Sequence, residues 1–128
     1  MDEAVYYDND LTEQIIGCAI EVHRHLGPGL LESAYEECLC HELGLKGLQF
    51  ERQKQLPIDY KGVRLDCGYR IDILVEGRVL LELKCVDKIM LVHTAQLLTY
   101  LRLSNVKTGL IVNFYTHLLK DGIKRLVL

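Results

Sequence analysis

Two neighbouring segments, YRIDILV and RVLLELKCV, constrain the fold of this chain more than any other feature. Their odd-numbered positions are all apolar: Ile71, Ile73, Val75, Val79, Leu81, Leu83 and Cys85. Because successive side chains of a strand point to opposite faces, the pattern predicts two strands that share one apolar face. Odd residues must then pair with odd residues. The hairpin loop around Glu76-Gly77-Arg78 is therefore expected to hold three or five residues.

The opposite face of the same hairpin carries charge. Its residues are Arg70, Asp72, Leu74, Leu80, Glu82 and Lys84. The register predicts that Asp72 and Glu82 lie on one face of adjacent strands, about one residue pair apart. Carboxylates this close repel each other unless a cation lies between them, and a divalent metal with oxygen ligands suits that position. Lys84 on the same face can hold a water molecule or a developing negative charge.

A plainer interpretation of the same four charges stays open. Arg70 and Lys84 can pair across the strands with Asp72 and Glu82 on a solvent-exposed face. The helix predicted over 91–103 carries His93, Gln96 and Tyr100 on one stripe, which can face the same cleft as the acids or simply face water. Its apolar stripe is expected to comprise Leu91, Ala95 and Leu98.

The remaining pattern predicts an α/β fold in one domain over residues 1–128, with residues 1–9 as a flexible N-terminal segment. Asp10 is a candidate N-cap for a first helix that ends at GPG, residues 27–29. A second helix is expected over about 30–43. Alternating residues then predict strands, with Pro57 marking an edge or an irregularity. The expected order is ααβββ(β)αββ, with a mixed sheet flanked by helices.

Composition narrows the function classes. The chain has no apolar run of 18 residues, so no membrane partner is expected, and its acidic N-terminus lacks the features of a signal peptide. A cytoplasmic protein is therefore expected. Five cysteines without a CxxC pair indicate small thiols rather than a metal site. Residues 1–45 hold ten acids and one base, whereas 46–128 hold eight acids and fourteen bases. This imbalance allows a polyanionic partner or an ordinary solvated surface.

The order Asp72, then Glu82-Leu83-Lys84, resembles the signature of the PD-(D/E)XK nuclease superfamily, although Ile71 stands where the name has proline. Gln96 and Tyr100 resemble the Gln-x-x-x-Tyr element of its exonuclease-like branch. More closely, roughly residues 11–128 resemble the GxxExxY family of small bacterial and archaeal proteins. The naming motif stands here as GLLESAY, from Gly29 to Tyr35.

The resemblance implies a restriction-endonuclease-like core with a mixed central sheet. It also implies that Asp72 and Glu82 ligate Mg²⁺ or Mn²⁺, and that the backbone carbonyl of Leu83 completes the metal shell. Lys84 would position or activate the attacking water. Glu32 would be a ligand or a supporting acid near the site.

The other site candidates come from the helix and the first hairpin strand. By resemblance, Gln96 orients Lys84 or a phosphate, Tyr100 supports Gln96, and His93 contacts the scissile phosphate. Arg70 is a further supporting candidate, while Tyr35 is expected in the core.

The implied activity is metal-assisted hydrolysis of phosphodiester bonds in nucleic acid, with DNA favoured over RNA. Two alternatives remain: a nuclease-like module that binds nucleic acid or protein without cutting, and a structural homo-oligomer. The apolar last strand, GIKRLVL, would be a sticky edge if exposed, so a homodimer is also expected.

Overall fold

The computed structural model describes residues 8–128, which contain three α-helices: α1, Asn9–Leu26; α2, Glu32–Leu45; and α3, Leu91–Ser104. Helix α1 begins one residue before the predicted N-cap Asp10, and Asp8 is buried, where it accepts a 2.6 Å hydrogen bond from Arg78 Nε. Residues 8 and 9 are thus not part of a flexible N-terminal segment, and residues 1–7 of the predicted segment lie outside the described residues. Within residues 8–128, no helix combines the length and the apolar character that a membrane crossing requires.

Helix α2 begins two residues later than predicted. The hydroxyl of Tyr35 donates to the Gly27 carbonyl at 2.5 Å and accepts the Leu30 N–H at 3.2 Å, which holds residues 27–30 as a turn. Gly29 at φ 106° needs the backbone freedom of glycine. The Tyr35 ring is fully buried and stacks on Phe114, with 4.3 Å between ring centroids. Tyr35 is therefore a core residue, as predicted, that also shapes the turn before α2.

Seven strands complete the fold: β1, Phe50–Gln55; β2, Ile58–Tyr60; β3, Val63–Leu65; β4, Arg70–Val75; β5, Val79–Lys84; β6, Thr108–Asn113; and β7, Ile123–Val127. Five of them form one sheet in the order β1-β4-β5-β6-β7, in which only β5 and β6 are parallel. The predicted α/β class with a mixed sheet is confirmed. Five strands rather than three or four separate α2 from α3, because the chain leaves the sheet at Leu56–Pro57.

The hairpin register agrees with the prediction. Val75 pairs with Val79, and Ile73 pairs with Leu81, which leaves a loop of three residues, 76–78. Glu76 and Gly77 both have positive φ in this loop. Odd positions therefore face odd positions, as the burial of one apolar face requires.

Both faces of the sheet are covered. One core packs β4, β5 and β6 against α1 and α2, and it contains Ile73, Val75 and Leu81. The second core packs the other face against α3 and contains Leu74, Leu80 and also Ile71. Since Ile71 and Ile73 lie in different cores, the strict alternation of β4 breaks at Asp72. This break, at the open end of the hairpin, is where the candidate site lies.

Strand β7 forms one edge of the sheet. The predicted pairing of this edge with a second copy of the chain stays a prediction, which light scattering can test.

Gly122→Ala is expected to destabilise the fold by about 3 kcal/mol, the upper range for overpacking. A Cβ at this position would lie 2.3 Å from the Asn113 carbonyl oxygen and 2.9 Å from Thr116 Cγ2, so backbone must move. Urea unfolding measures the loss. Gly44→Ala in α2 is the matched control: its Cβ would meet nothing within 4 Å, and alanine favours the helix by up to about 1 kcal/mol. Equal stability of Gly122→Ala and wild type would contradict this packing.

Candidate active site

Glu82 is a buried acid whose carboxylate is only weakly compensated by its surroundings. It lies on β5, between β4 and β6, and is 6% exposed. Its Oε1 has no hydrogen-bond partner, and among residues 8–128 no basic side chain lies within 4.0 Å of its carboxylate. Burial, followed by the charge of Asp72, raises the pKa of Glu82 to about 8, while the charge of Lys84 and a hydrogen bond from the Asp72 backbone act in the opposite direction. The metal-free fold therefore keeps Glu82 largely protonated at neutral pH.

Asp72 lies beside Glu82, where the β4–β5 ladder ends. The last paired residues are Ile73 and Leu81, and beyond them Asp72 Oδ2 accepts the Leu83 N–H at 2.8 Å. The side chain thus takes the place of a backbone partner. Burial is the main cause that raises the pKa of Asp72, and the Leu83 N–H is the main opposing one. The predicted acid pair is brought together, although the alternation behind that prediction fails at Asp72 itself.

Helix α2 adds two further acids. Glu32 Oε1 accepts the Cys85 N–H at 3.1 Å, so Glu32 caps the end of β5. Glu36 lies one helical turn later, is buried, and accepts hydrogen bonds from Arg52 Nη2 at 2.9 Å and Gln53 Nε2 at 2.7 Å. Both charges raise the pKa of Asp72. Glu36 is not among the predicted site residues, although its i, i+4 spacing from Glu32 places both acids on one face of the helix.

Gln53 connects the helix to the acid pair. It lies opposite Asp72 between the pairs Arg52–Ile73 and Lys54–Ile71, and it has φ 48°. Its Nε2 is 3.5 Å from Asp72 Oδ1 and also bonds Glu36. A cavity of about 320 Å³ opens here, lined by Glu32, Ser33, Glu36, Gln53, Asp72 and Leu83. Strand β1 thus supplies a positioning residue that periodicity alone did not indicate.

Lys84 is half-buried at the end of β5, where it pairs with Asn113 of β6. Its charge lowers the pKa of both Asp72 and Glu82. Within the described part of the chain, however, no carboxylate oxygen lies within 4.0 Å of its Nζ. The ammonium therefore acts on the acids from a distance and can contact another anion.

The surface ion-pair interpretation does not fit this geometry. Arg70 Nη1 lies 4.0 Å from Asp66 Oδ1 and donates to the Tyr69 carbonyl at 3.2 Å. Arg70 thus contacts Asp66 and Tyr69 of the preceding loop, and within residues 8–128 it forms no ion pair with Asp72 or Glu82. Glu82 is moreover buried rather than solvent-exposed.

Helix α3 covers the site from the other face of the sheet. Gln96 Nε2 donates to Tyr100 Oη at 2.9 Å, and Tyr100 is buried. Burial raises the pKa of Tyr100, and the charge of Glu82 adds to this rise. His93 Nδ1 accepts the Met90 N–H at 2.9 Å, which places the proton of a neutral ring on Nε2. The observed partner of Gln96 is therefore Tyr100, while His93 caps the start of the helix.

Asn113 fixes the chain immediately after Lys84. Its Oδ1 accepts the N–H groups of Val86 and Tyr115 at 3.1 and 3.2 Å, and its Nδ2 donates to the Val86 carbonyl at 2.8 Å. The side chain is buried and fully engaged. In the sequence, an asparagine directly after the apolar segment GLIV was the available signal for this role, but Asn113 is not among the predicted site residues.

Within residues 8–128, no group of three or more His, Cys, Asp or Glu side chains forms a ready-made metal site. The pair of Asp72 and Glu82 nevertheless suits a hard divalent cation, because both offer carboxylate oxygens and one of these is buried without a partner. Mg²⁺ in particular binds through one or two carboxylates and keeps several of its waters. The residues present thus fit a cation held by two side chains.

One family comparison adds to this geometry. The sequence model of the family described as the PD-(D/E)XK nuclease superfamily matches residues 9–126, which span α1 through β7. The match is to the superfamily and does not distinguish the GxxExxY family within it. Comparison with curated proteins and with solved structures gives no match.

Proposed function

Since the chain belongs to the PD-(D/E)XK nuclease superfamily, we propose that it hydrolyses phosphodiester bonds of nucleic acid with a divalent cation. Nucleases of this superfamily generally use divalent metals. Mg²⁺ and Mn²⁺ are the proposed ions, and DNA is the proposed substrate in preference to RNA. The match and the acid pair support this proposal together.

The observation that carries the proposal is the buried carboxylate of Glu82, whose Oε1 has no hydrogen-bond partner and which lies beside a second acid. Burying an ionised carboxylate without a cationic partner is strongly unfavourable, because the protein interior does not replace the water that solvates the charge. A second acid beside it increases the cost of ionisation. A divalent cation would remove both penalties at once. A bound cation would thus allow both acids to be ionised near neutral pH.

The proposed roles follow from position. Asp72 and Glu82 would hold the cation, with the Leu83 carbonyl as a further ligand. The bound cation would neutralise phosphate charge and lower the pKa of water. Lys84 would stabilise negative charge on the phosphate and orient the attacking water. Glu32, already bonded to Cys85, would keep the end of β5 in place.

Helix α3 would supply the contacts to the substrate. The Tyr100 hydroxyl holds Gln96 by its 2.9 Å hydrogen bond, so the amide of Gln96 is oriented before a substrate arrives. His93 carries its proton on Nε2, which makes that nitrogen a donor for a phosphate oxygen.

We also propose that the chain belongs to the GxxExxY family, because each named position of the motif has a defined role. Gly29 adopts a positive φ, Glu32 caps β5, and Tyr35 ties the turn before α2.

The test is cleavage of single- and double-stranded DNA and RNA with Mn²⁺, Mg²⁺ or chelator, with wild type and Glu82→Ala prepared identically. Metal-dependent cutting by wild type that falls at least about 10³-fold in the variant would support the proposal. Equal cutting by both proteins would place the activity elsewhere. No cutting by either protein, together with no Mn²⁺ binding, would favour a module without nuclease activity.

A further inference from the structure

A separate hairpin projects from the sheet on the side of the acid pair. We call residues 58–65 the arm: β2 and β3, joined by a Lys61–Gly62 turn in which both residues have positive φ. Neither strand belongs to the five-stranded sheet. Tyr60 and Val63 pair across the arm and are 59% and 55% exposed. Because an isolated two-stranded hairpin is marginal in water, exposed apolar residues on such an arm indicate a binding surface.

The chemistry of the arm suits a nucleic acid better than a second copy of the chain. Lys61 Nζ lies 5.4 Å from the centroid of the Tyr60 ring, and Arg64 is exposed opposite Asp59. The eight residues thus carry two cations and one acid around an exposed aromatic ring. Cations beside an aromatic side chain bind backbone phosphates and stack with bases, whereas the core of a subunit interface is depleted of lysine.

The base of the arm touches the candidate site. The Leu56 N–H donates to the Tyr69 carbonyl at 2.9 Å, which continues the pairing of β1 with β4 toward the arm. The Tyr69 ring meets the edge of Tyr100 at 5.9 Å between centroids, and Tyr100 holds Gln96. The arm is therefore continuous with the residues proposed to contact the scissile phosphate.

Chain geometry limits how far the arm reaches. From Gln53, opposite Asp72, to Tyr60 there are seven residues, which span at most about 24 Å at ~3.4 Å per residue. One strand of nucleic acid covers that distance in about seven nucleotides at ~3.4 Å each.

From these observations we infer that the arm is a nucleic-acid clamp. Lys61 and Arg64 bind backbone phosphates up to about seven nucleotides from the scissile bond, and Tyr60 packs on a base or sugar. This inference rests on the proposed nuclease function and adds where and how the substrate is held.

The test compares Lys61→Ala/Arg64→Ala with the control Lys46→Ala/Arg102→Ala. The control removes the same charge from the far ends of α2 and α3, whose first turns lie at the site. For a 20-nucleotide DNA, the arm variant is expected to raise KM about tenfold with kcat within about twofold of wild type. The slope of log KM against log salt should become shallower by about 2, while the control follows wild type. A tetranucleotide covers only about 14 Å at ~3.4 Å per nucleotide and offers fewer phosphates to the arm, so the arm variant should raise its KM less than that of the 20-nucleotide DNA.

Fluorescence anisotropy with the same DNA in chelator measures binding without cleavage, so the arm and the nuclease proposal can fail separately. The arm variant should again bind about tenfold more weakly than the control.

If wild type cleaves but the arm variant keeps the KM and salt slope of the control, the clamp proposal is wrong and the nuclease proposal stands. The clamp is also wrong if the arm variant raises the KM of the tetranucleotide as much as that of the 20-nucleotide DNA. A wild-type dimer that the arm variant dissociates, measured by light scattering, would assign the arm to a subunit interface instead. If wild type neither cleaves nor binds, both proposals fall.

Discussion

Glu82→Gln is expected to abolish cleavage and also to make the metal-free protein more stable at pH 8. Both results come from one cause, the burial of a carboxylate beside Asp72. Glutamine has a similar shape but never ionises, so it removes the proposed anionic cation ligand and a buried charge together. Sites that bind charged ligands commonly sacrifice stability in this way. We expect a loss of activity of at least about 10³-fold.

The effect on stability depends on pH in a defined direction. The pKa of Glu82 rises from its ordinary 4.5 to about 8 on folding. Protonated Glu82 therefore contributes fully to wild-type stability below about pH 4.5, and this contribution is lost as the pH rises through about 8. The total loss is on the order of 5 kcal/mol, at 1.36 kcal/mol per pKa unit. Asp72, whose pKa is also raised, acts in the same direction.

Urea unfolding in chelator at pH 5 and pH 8 measures this effect. Wild type should lose several kcal/mol between the two values that Glu82→Gln retains. Glu13→Gln, an exposed acid on α1, is the control and should stay within about 0.5 kcal/mol of wild type at both values. A Glu82→Gln variant that is less stable than wild type at pH 8 would mean that the carboxylate is compensated within the fold.

Lys84→Met is expected to lower kcat by about 10² to 10⁴, the range for losing a positioned charge or proton donor at a reacting group. Lys84 also lowers the pKa of both acids, so its removal raises them further and weakens cation binding near pH 7. Lys84→Arg keeps the charge but not the compact ammonium. We therefore expect it to restore cation affinity while kcat remains at least about tenfold below wild type.

Steady-state cleavage combined with Mn²⁺ titration separates these two effects. Lys88→Met, an exposed lysine four residues further on, is the control and should cleave like wild type. If Lys84→Arg retains the kcat of wild type, the charge of Lys84 alone accounts for its role. If Lys84→Met also retains the kcat of wild type, Lys84 takes no part in the chemical step.

The hairpin was predictable because its alternation is strict. Seven apolar odd positions allow one parity of pairing, and parity determines whether the loop is odd or even. The same rule failed at one position, since Ile71 joins the core under α3 while Ile73 joins the core under α1 and α2. The change of face at Asp72 lies opposite Gln53 of β1, which has a positive φ, and the sequence pattern of β4 does not predict it.

Helix α3 shows a different limit. Its predicted apolar stripe began at Leu91, which is 85% exposed, whereas Leu97 and Leu101 are buried. The helix is apolar around most of its circumference, so periodicity alone could not select the face that meets the sheet. Packing against β6 decides it: a Cβ on Gly109 would lie 3.0 Å from the Leu97 side chain.

The residues of the candidate site also differ in how far the sequence predicts them. Asp72, Glu82 and Lys84 follow from strand pattern and spacing, because they lie on one hairpin. Glu36 and Gln53 come from other elements and reach the acids only through tertiary structure. Local sequence thus identifies the charged residues of the candidate site, whereas the residues that position them can be identified only from the fold.

The most direct test of the central claim, that Asp72 and Glu82 form a divalent-cation site, is Mn²⁺ titration calorimetry at pH 7 in buffers of different ionisation enthalpy. Because the pKa of Glu82 is raised above neutral, binding should release a substantial fraction of a proton per Mn²⁺ as the ligand ionises. Glu82→Gln should bind far more weakly and release no comparable proton. Wild-type binding without proton release, or equal binding by the variant, would contradict the claim.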